Sequence, residues 1–172
     1  MMKSTRAILF IFLLVFSGKS FAQLDVFHVL GRGASYYEPA FGVGAYLKFS
    51  FPVSEADNIT FEGGLNTFDG GDAGYMAGKI GYMYTIDRSG TGFFIEPQLG
   101  YSFTGEREDV LDYWITRSLV GPVATLNVGY RTSGRLPIDI AARVESVVNK
   151  EGVFGLAGLR IAVPIRFGRN RF

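Results

Sequence analysis

Leu159-Arg160-Ile161-Ala162-Val163-Pro164-Ile165-Arg166-Phe167 reads as two interleaved sequences. Odd positions give Leu159, Ile161, Val163, Ile165 and Phe167, with no polar group among them. Even positions give Arg160, Ala162, Pro164 and Arg166. A period of two is the mark of an extended strand whose faces meet different surroundings. One face is apolar for its whole length, and the other carries two guanidinium groups.

Working outward, the alternation predicts eight strands, at 25–36, 40–51, 58–68, 75–86, 93–104, 118–131, 136–147 and 153–167. Stretches rich in Gly, Asp, Asn and Pro separate them, such as Asp69-Gly70-Gly71-Asp72 and Thr132-Ser133-Gly134-Arg135. No helical period interrupts the series, so the fold class is all-β, an eight-stranded antiparallel up-and-down barrel. In the middle six segments one face holds no charge, as in Phe93, Ile95, Pro97, Leu99, Tyr101 and Phe103. Opposite parities carry Lys48, Glu62, Lys79, Glu96, Asp139, Arg143, Glu145, Arg160 and Arg166. In the first segment His28 and Arg32 are assigned to that polar face.

Two architectures alternate this way. A lipocalin-like carrier turns its apolar face inward around a ligand, and a membrane barrel turns it outward to lipid. Strands of roughly 11–15 residues are at or above the about 9–11 that cross a bilayer at a tilt. The polar face mixes both charge signs with Gly42, Gly44, Gly64, Gly81, Gly100, Gly121, Gly129 and Gly158, which suits a narrow lumen. Aromatics gather at both strand ends, with Tyr37, Phe41, Phe68, Tyr75, Tyr101, Phe103 and Phe154 assigned to one rim. Phe49, Phe51, Tyr82, Tyr84, Phe93, Tyr130 and Phe167 are assigned to the other, and two such girdles fit a bilayer. The inverted barrel is therefore the expectation, and the secreted carrier of an apolar ligand is its alternative. Pro97 and Pro122, placed inside neighbouring strands, predict a bulge or a locally widened pairing there.

The N-terminus has the layout of a secretory leader. Lys3 and Arg6 precede the apolar run 7–16, and Ser20-Phe21-Ala22 forms a cleavage signature before Gln23. Residues 1–22 are read as signal peptide and 23–172 as one barrel domain. The leader removes three bases and no acid, so 14 bases face 16 acids in the remainder. That balance argues against nucleic-acid binding. The absence of cysteine excludes disulfides, thiolate metal sites and an acylated-cysteine anchor.

The leader, the eight amphipathic strands and the aromatic-rich last strand resemble the small eight-stranded outer-membrane β-barrels of the OmpA-transmembrane and OmpX type. The resemblance covers the whole mature chain in pattern and length, without a diagnostic motif. It implies periplasmic termini, longer loops outside, outer-membrane lipids around the wall, and the barrel-assembly machinery as a partner in biogenesis. A terminal aromatic in such proteins serves as the assembly signal, a part open here to Phe167 or Phe172.

No enzyme is expected. Acyl transfer needs a serine, a histidine base and an orienting carboxylate, and His28 is the single histidine. No cofactor and no metal site is expected, since Asp69 and Asp72 lack calcium-hand spacing. The interior charges read as a salt-bridge network in a filled lumen, with a narrow pore as the lesser reading. Loop 105–117 joins Glu106, Arg107, Glu108, Asp109 and Asp112 to Tyr113 and the single tryptophan, Trp114. It is the candidate surface for an extracellular ligand or protein, against the plainer reading of an acidic loop anchored at the headgroups. The expected assembly is a monomer in the outer membrane, with a structural or surface-interaction role.

Overall fold

Alternating residues make strands, and strands in hydrocarbon have to close, because an open edge leaves backbone donors and acceptors with no partner. The computed structural model describes residues 21–33, 40–68, 73–87, 90–104, 120–134, 137–150 and 152–166. Side chains are described for 42–67, 76–87, 90–103, 120–134, 137–150, 153 and 155–163. The eight strands are β1 (Phe21–Gly33), β2 (Ala40–Pro52), β3 (Asp57–Phe68), β4 (Ala73–Thr85), β5 (Gly92–Thr104), β6 (Gly121–Arg131), β7 (Asp139–Asn149) and β8 (Gly152–Arg166). Each pairs antiparallel with the next, and β1 pairs with β8 from Phe21↔Arg166 to Gly33↔Phe154, closing the barrel.

The registers fix the geometry. From Gln23 the pairing runs through Lys48, Glu62, Lys79, Gly100, Val123, Val147 and Phe154 back to β1 at Gly33, ten residues beyond its start. A stagger of about ten residues over eight strands corresponds to a tilt of about 40°. Strands of 11–15 residues at that tilt rise more than the about 25 Å of an outer-membrane apolar band. The connections 53–56, 86–91 and 132–138 lie at the same end as the start of β1 and the end of β8, hereafter the turn end. Ser54 builds the first of these turns, its Oγ donating to Asp57 Oδ2 at 2.6 Å and accepting from the Asp57 amide at 3.1 Å.

Burial is inverted relative to a water-soluble protein. Leu99 is 67% exposed and Phe93 63%, while Glu96 and Arg160 are 0% exposed. Outward strand positions with described side chains hold no charge except Asp57, at the turn end of β3. A lipocalin-like carrier would bury these apolar residues, so that alternative is overturned. At the turn end Phe51 and Phe61 meet edge-on at 5.7 Å, and Phe93 and Tyr130 at 5.1 Å. Tyr101 and Phe103 pack at 4.9 Å at the opposite, loop end.

Several sequence expectations change. The first strand lies four residues earlier than expected, beginning at Phe21, within the expected leader. The sixth strand begins at Gly121 and the seventh at Asp139, both later than expected. Pro122 thus stands at a strand start, beyond the last β6–β7 pair, Val123↔Val147. Pro97 does widen the pairing: the β4–β5 ladder skips Tyr82 and Met83 and resumes in the same register at Tyr84↔Ile95, without a bulge. His28 pairs with Val43 and Leu159, and Arg32 with Gly155, which are outward registers rather than the expected inward ones. Phe68, Tyr75 and Phe154 share register with Gly42, Asn66 and Val147, which are buried positions. Proximity to a strand end therefore overstated the girdle at the loop end, because strand parity was not applied. Arg166, Phe41 and Phe49 keep the parities assigned to them, although the side chains of the first two are outside the described set. Tyr37, Phe167 and Phe172 lie outside the described residues altogether.

Leu126 sits midway along β6 on the outward face. Leu126→Arg is expected to destabilise the barrel in phospholipid vesicles by about 2–4 kcal/mol, read from guanidinium unfolding. A loss under about 0.5 kcal/mol would mean that this face meets water.

Candidate functional site

Inward parity delivers eight of the nine charged residues singled out in the sequence to one closed space. Lys48, Glu62, Lys79, Glu96, Asp139, Arg143, Glu145 and Arg160 are all buried. The ninth, Arg166, pairs with Phe21 at the turn end, and its side chain is outside the described set.

Glu96 is the hub. Lys48 Nζ donates to both of its carboxylate oxygens at 3.0 Å, and Arg160 donates to Oε2 at 2.8 Å. Gln98 and Asn127 add amide donors at 3.1 and 3.4 Å. A second cluster forms around Glu62 and Glu145. Arg143 donates to Glu62 at 2.6 Å and to Glu145 at 3.0 Å. Lys79 lies 2.5 Å from Glu145 and 3.5 Å from Glu62, and Thr125 donates to Glu145 at 2.9 Å. The Gln98 amide joins the clusters, since it also donates to Glu62 at 3.2 Å. Buried carboxylates and cations in such a space are tolerated because each is paired and further hydrogen-bonded.

Tyr46 belongs to the same network and was not among the residues chosen from sequence. Lys79 Nζ lies 4.8 Å from its ring centroid and the Arg143 guanidinium 4.6 Å. Asn66 Nδ2 donates to its hydroxyl. The ring lies over Gly64, where a Cβ would come within 2.6 Å of it. A glycine opposite an aromatic is how the lumen gains width at that level. The signal was present in sequence as a tyrosine of inward parity, but recognising it requires the β2–β3 register that sets Tyr46 against Gly64.

Toward the turn end the lumen turns apolar. Met83, Phe94 and Ala141 form a buried cluster. Beside it Arg131 clasps Asp139 with two bonds, at 2.6 and 2.7 Å. Toward the loop end Val123, Val147 and Leu156 are buried. Charged middle and apolar ends together fill the interior with side chains. Such an arrangement ties the strands to one another across the lumen. The candidate partner surface, Glu106, Arg107, Glu108, Asp109, Asp112, Tyr113 and Trp114, lies outside the described residues. No cluster of metal-ligating side chains occurs among the described residues.

Glu96→Ala leaves Lys48 and Arg160 facing one another without their shared anion. A loss of about 3–5 kcal/mol is expected in vesicle unfolding, with most of it recovered when Lys48→Met and Arg160→Met are added. An unchanged denaturation midpoint for the single variant would show that the hub does not hold the barrel.

No protein-family model and no curated protein matches the chain. Solved structures do. Ail, the attachment invasion locus protein of Yersinia pestis, determined in complex with the heparin analogue sucrose octasulfate, aligns with a TM-score of 0.56. Identity is 10% over 86% of this chain and 99% of Ail. Neisserial surface protein A, NspA, aligns with a TM-score of 0.59 and 12% identity, over 86% of this chain and 97% of its own. Ail in a phospholipid bilayer nanodisc gives 0.51 and 13%, over 86% and 99%. Identities this low speak to the fold alone, and the chain has the fold of the small outer-membrane β-barrels, closed here by eight strands.

Proposed function

We propose that the chain is a monomeric, non-conducting outer-membrane barrel that presents its loop end for attachment at the cell surface. One observation carries the reading: apart from Asp57 at the turn end, the described outward side chains of the strands are uncharged and largely apolar, while Lys48, Glu62, Lys79, Glu96, Arg143, Glu145 and Arg160 are paired inside. A wall of that kind is at equilibrium only in lipid. Short turns and both strand-set termini share one end, which supports a periplasmic position for it and an outside position for loop 105–117. The leader is proposed to be cut before Gln23, which leaves Gln23–Gly33 of β1 to pair with β2 and β8.

Attachment is supported by analogy with Ail, the attachment invasion locus protein. Chemistry separates the two, however. Glu106, Glu108, Asp109 and Asp112 outweigh Arg107 and Arg117, so the loop repels a sulfated saccharide of the kind bound to Ail. Its acids and the pair Tyr113–Trp114 suit a basic protein surface instead. A filled lumen supports neither a porin-like pore nor an enzyme, and neither role is part of the proposal.

Cells displaying the chain should adhere to a lysine-rich protein surface at low salt. Replacing the four loop acids by their amides should abolish that adhesion, while unheated samples still run faster than boiled ones in SDS gels. Discrete conductance steps in planar bilayers would overturn the filled-lumen part, and adhesion indifferent to the four amides would overturn the role of the loop.

A further inference from the structure

A sheet that closes on itself has more than one way to do so. Sliding β8 along β1 by two residues leaves every side chain on its own face, so alternation alone admits staggers of about eight, ten or twelve residues. The outward face of the seam does not choose among them. Leu24 meets Val163 and Val26 meets Ile161, and a slip of two only exchanges one aliphatic partner for another.

The inward face of β1 carries a single charged residue, Asp25. It pairs with Tyr46 of β2 and Ala162 of β8, both buried. Lys48 stands two residues from Tyr46 toward the turn end, and Arg160 two residues from Ala162 toward the loop end. Those offsets match the tilt. A row of paired residues climbs ten residues toward the loop end over eight strands, about 1.25 per strand. Positions level with Asp25 therefore fall within one residue of both Lys48 and Arg160. On β5, which faces β1 across the ring, the same level is reached at Pro97, next to Glu96. Lys48 and Arg160 both donate to Glu96, so an acid on each of two facing strands brackets the two cations.

We propose that Asp25 selects the register in which the barrel closes. In the stagger of ten it is level with both cations. A stagger of twelve sets Asp25 against Pro164 and moves Arg160 a further two residues, about 6–7 Å, along the strand. A stagger of eight narrows a lumen that Tyr46, Lys79 and Arg143 already fill. The acid bars the wider barrel and the packed ring bars the narrower one. Fixing register is the best-attested use of a buried charge. The inference stands on the seam alone and is independent of what the loop end binds.

The chain has no cysteine, so introduced pairs report the seam without background. Val26 pairs with Ile161, and the wider stagger would set it against Val163. Full chains carrying Val26→Cys with Ile161→Cys, or Val26→Cys with Val163→Cys, are folded into phospholipid vesicles and oxidised. Cross-linking is read from non-reducing denaturing gels, and folding from unheated gel mobility. The first pair should cross-link several-fold more than the second. Adding Asp25→Asn should shift yield several-fold from the first pair to the second, and Asp25→Glu should keep the original preference. A preference indifferent to Asp25→Asn overturns the proposal, as does one lost equally with Asp25→Glu. Should Asp25→Asn prevent folding, the mobility shift is expected to return when Arg160→Met is added, and a barrel that stays unfolded there also overturns it.

Discussion

Everything in this structure depends on the pairing of β1 with β8. Hydrocarbon offers no partner to a free amide or carbonyl, so a sheet that crosses a membrane either closes or does not exist there. Closure with a stagger of ten residues then sets the lumen width, and lumen width decides which side chains can live inside. At eight strands the space is one that side chains fill by themselves. Charges that enter it must therefore satisfy one another.

The way they do so follows the registers closely. Lys48, Glu62 and Lys79 are consecutive cross-strand neighbours, so alternating sign is laid around the wall by pairing alone. Glu96 and Arg160, by contrast, come from β5 and β8 and meet across the lumen. Local register and transverse reach thus contribute different bonds to one network, and Gln98 ties them together. Small residues are part of the same solution: Gly64 makes room for Tyr46, and Tyr46 in turn gives Lys79 and Arg143 a face to rest on.

Much of the fold was legible because burial in a barrel wall is a matter of parity. Glu62 or Lys79 could be placed inside from the sequence by counting in twos, with no knowledge of which strand lay alongside. What could not be read depended on neighbours. His28 was set on the polar face because it is polar, whereas its register partners Val43 and Leu159 are outward. Phe68, Tyr75 and Phe154 were counted as girdle residues from their nearness to strand ends, although parity sets them elsewhere. Pro122 reads as a mid-strand defect only if β6 starts at 118 rather than at Gly121, and the role of Tyr46 is hidden in the sequence because its partners lie on other strands. The missing amide of Pro97 predicts either a bulge or a widened pairing without knowledge of its partner, and the ladder shows the widening alone.

The Glu96 hub has a kinetic corollary. Its carboxylate meets Lys48, 48 residues earlier in the chain, and Arg160, 64 residues later. Neither bond can exist within a single hairpin, so an early intermediate carries these charges with only water to satisfy them. Chains dominated by such distant contacts assemble slowly. The charges of the nascent interior therefore stay hydrated until β2, β5 and β8 have been brought around one lumen.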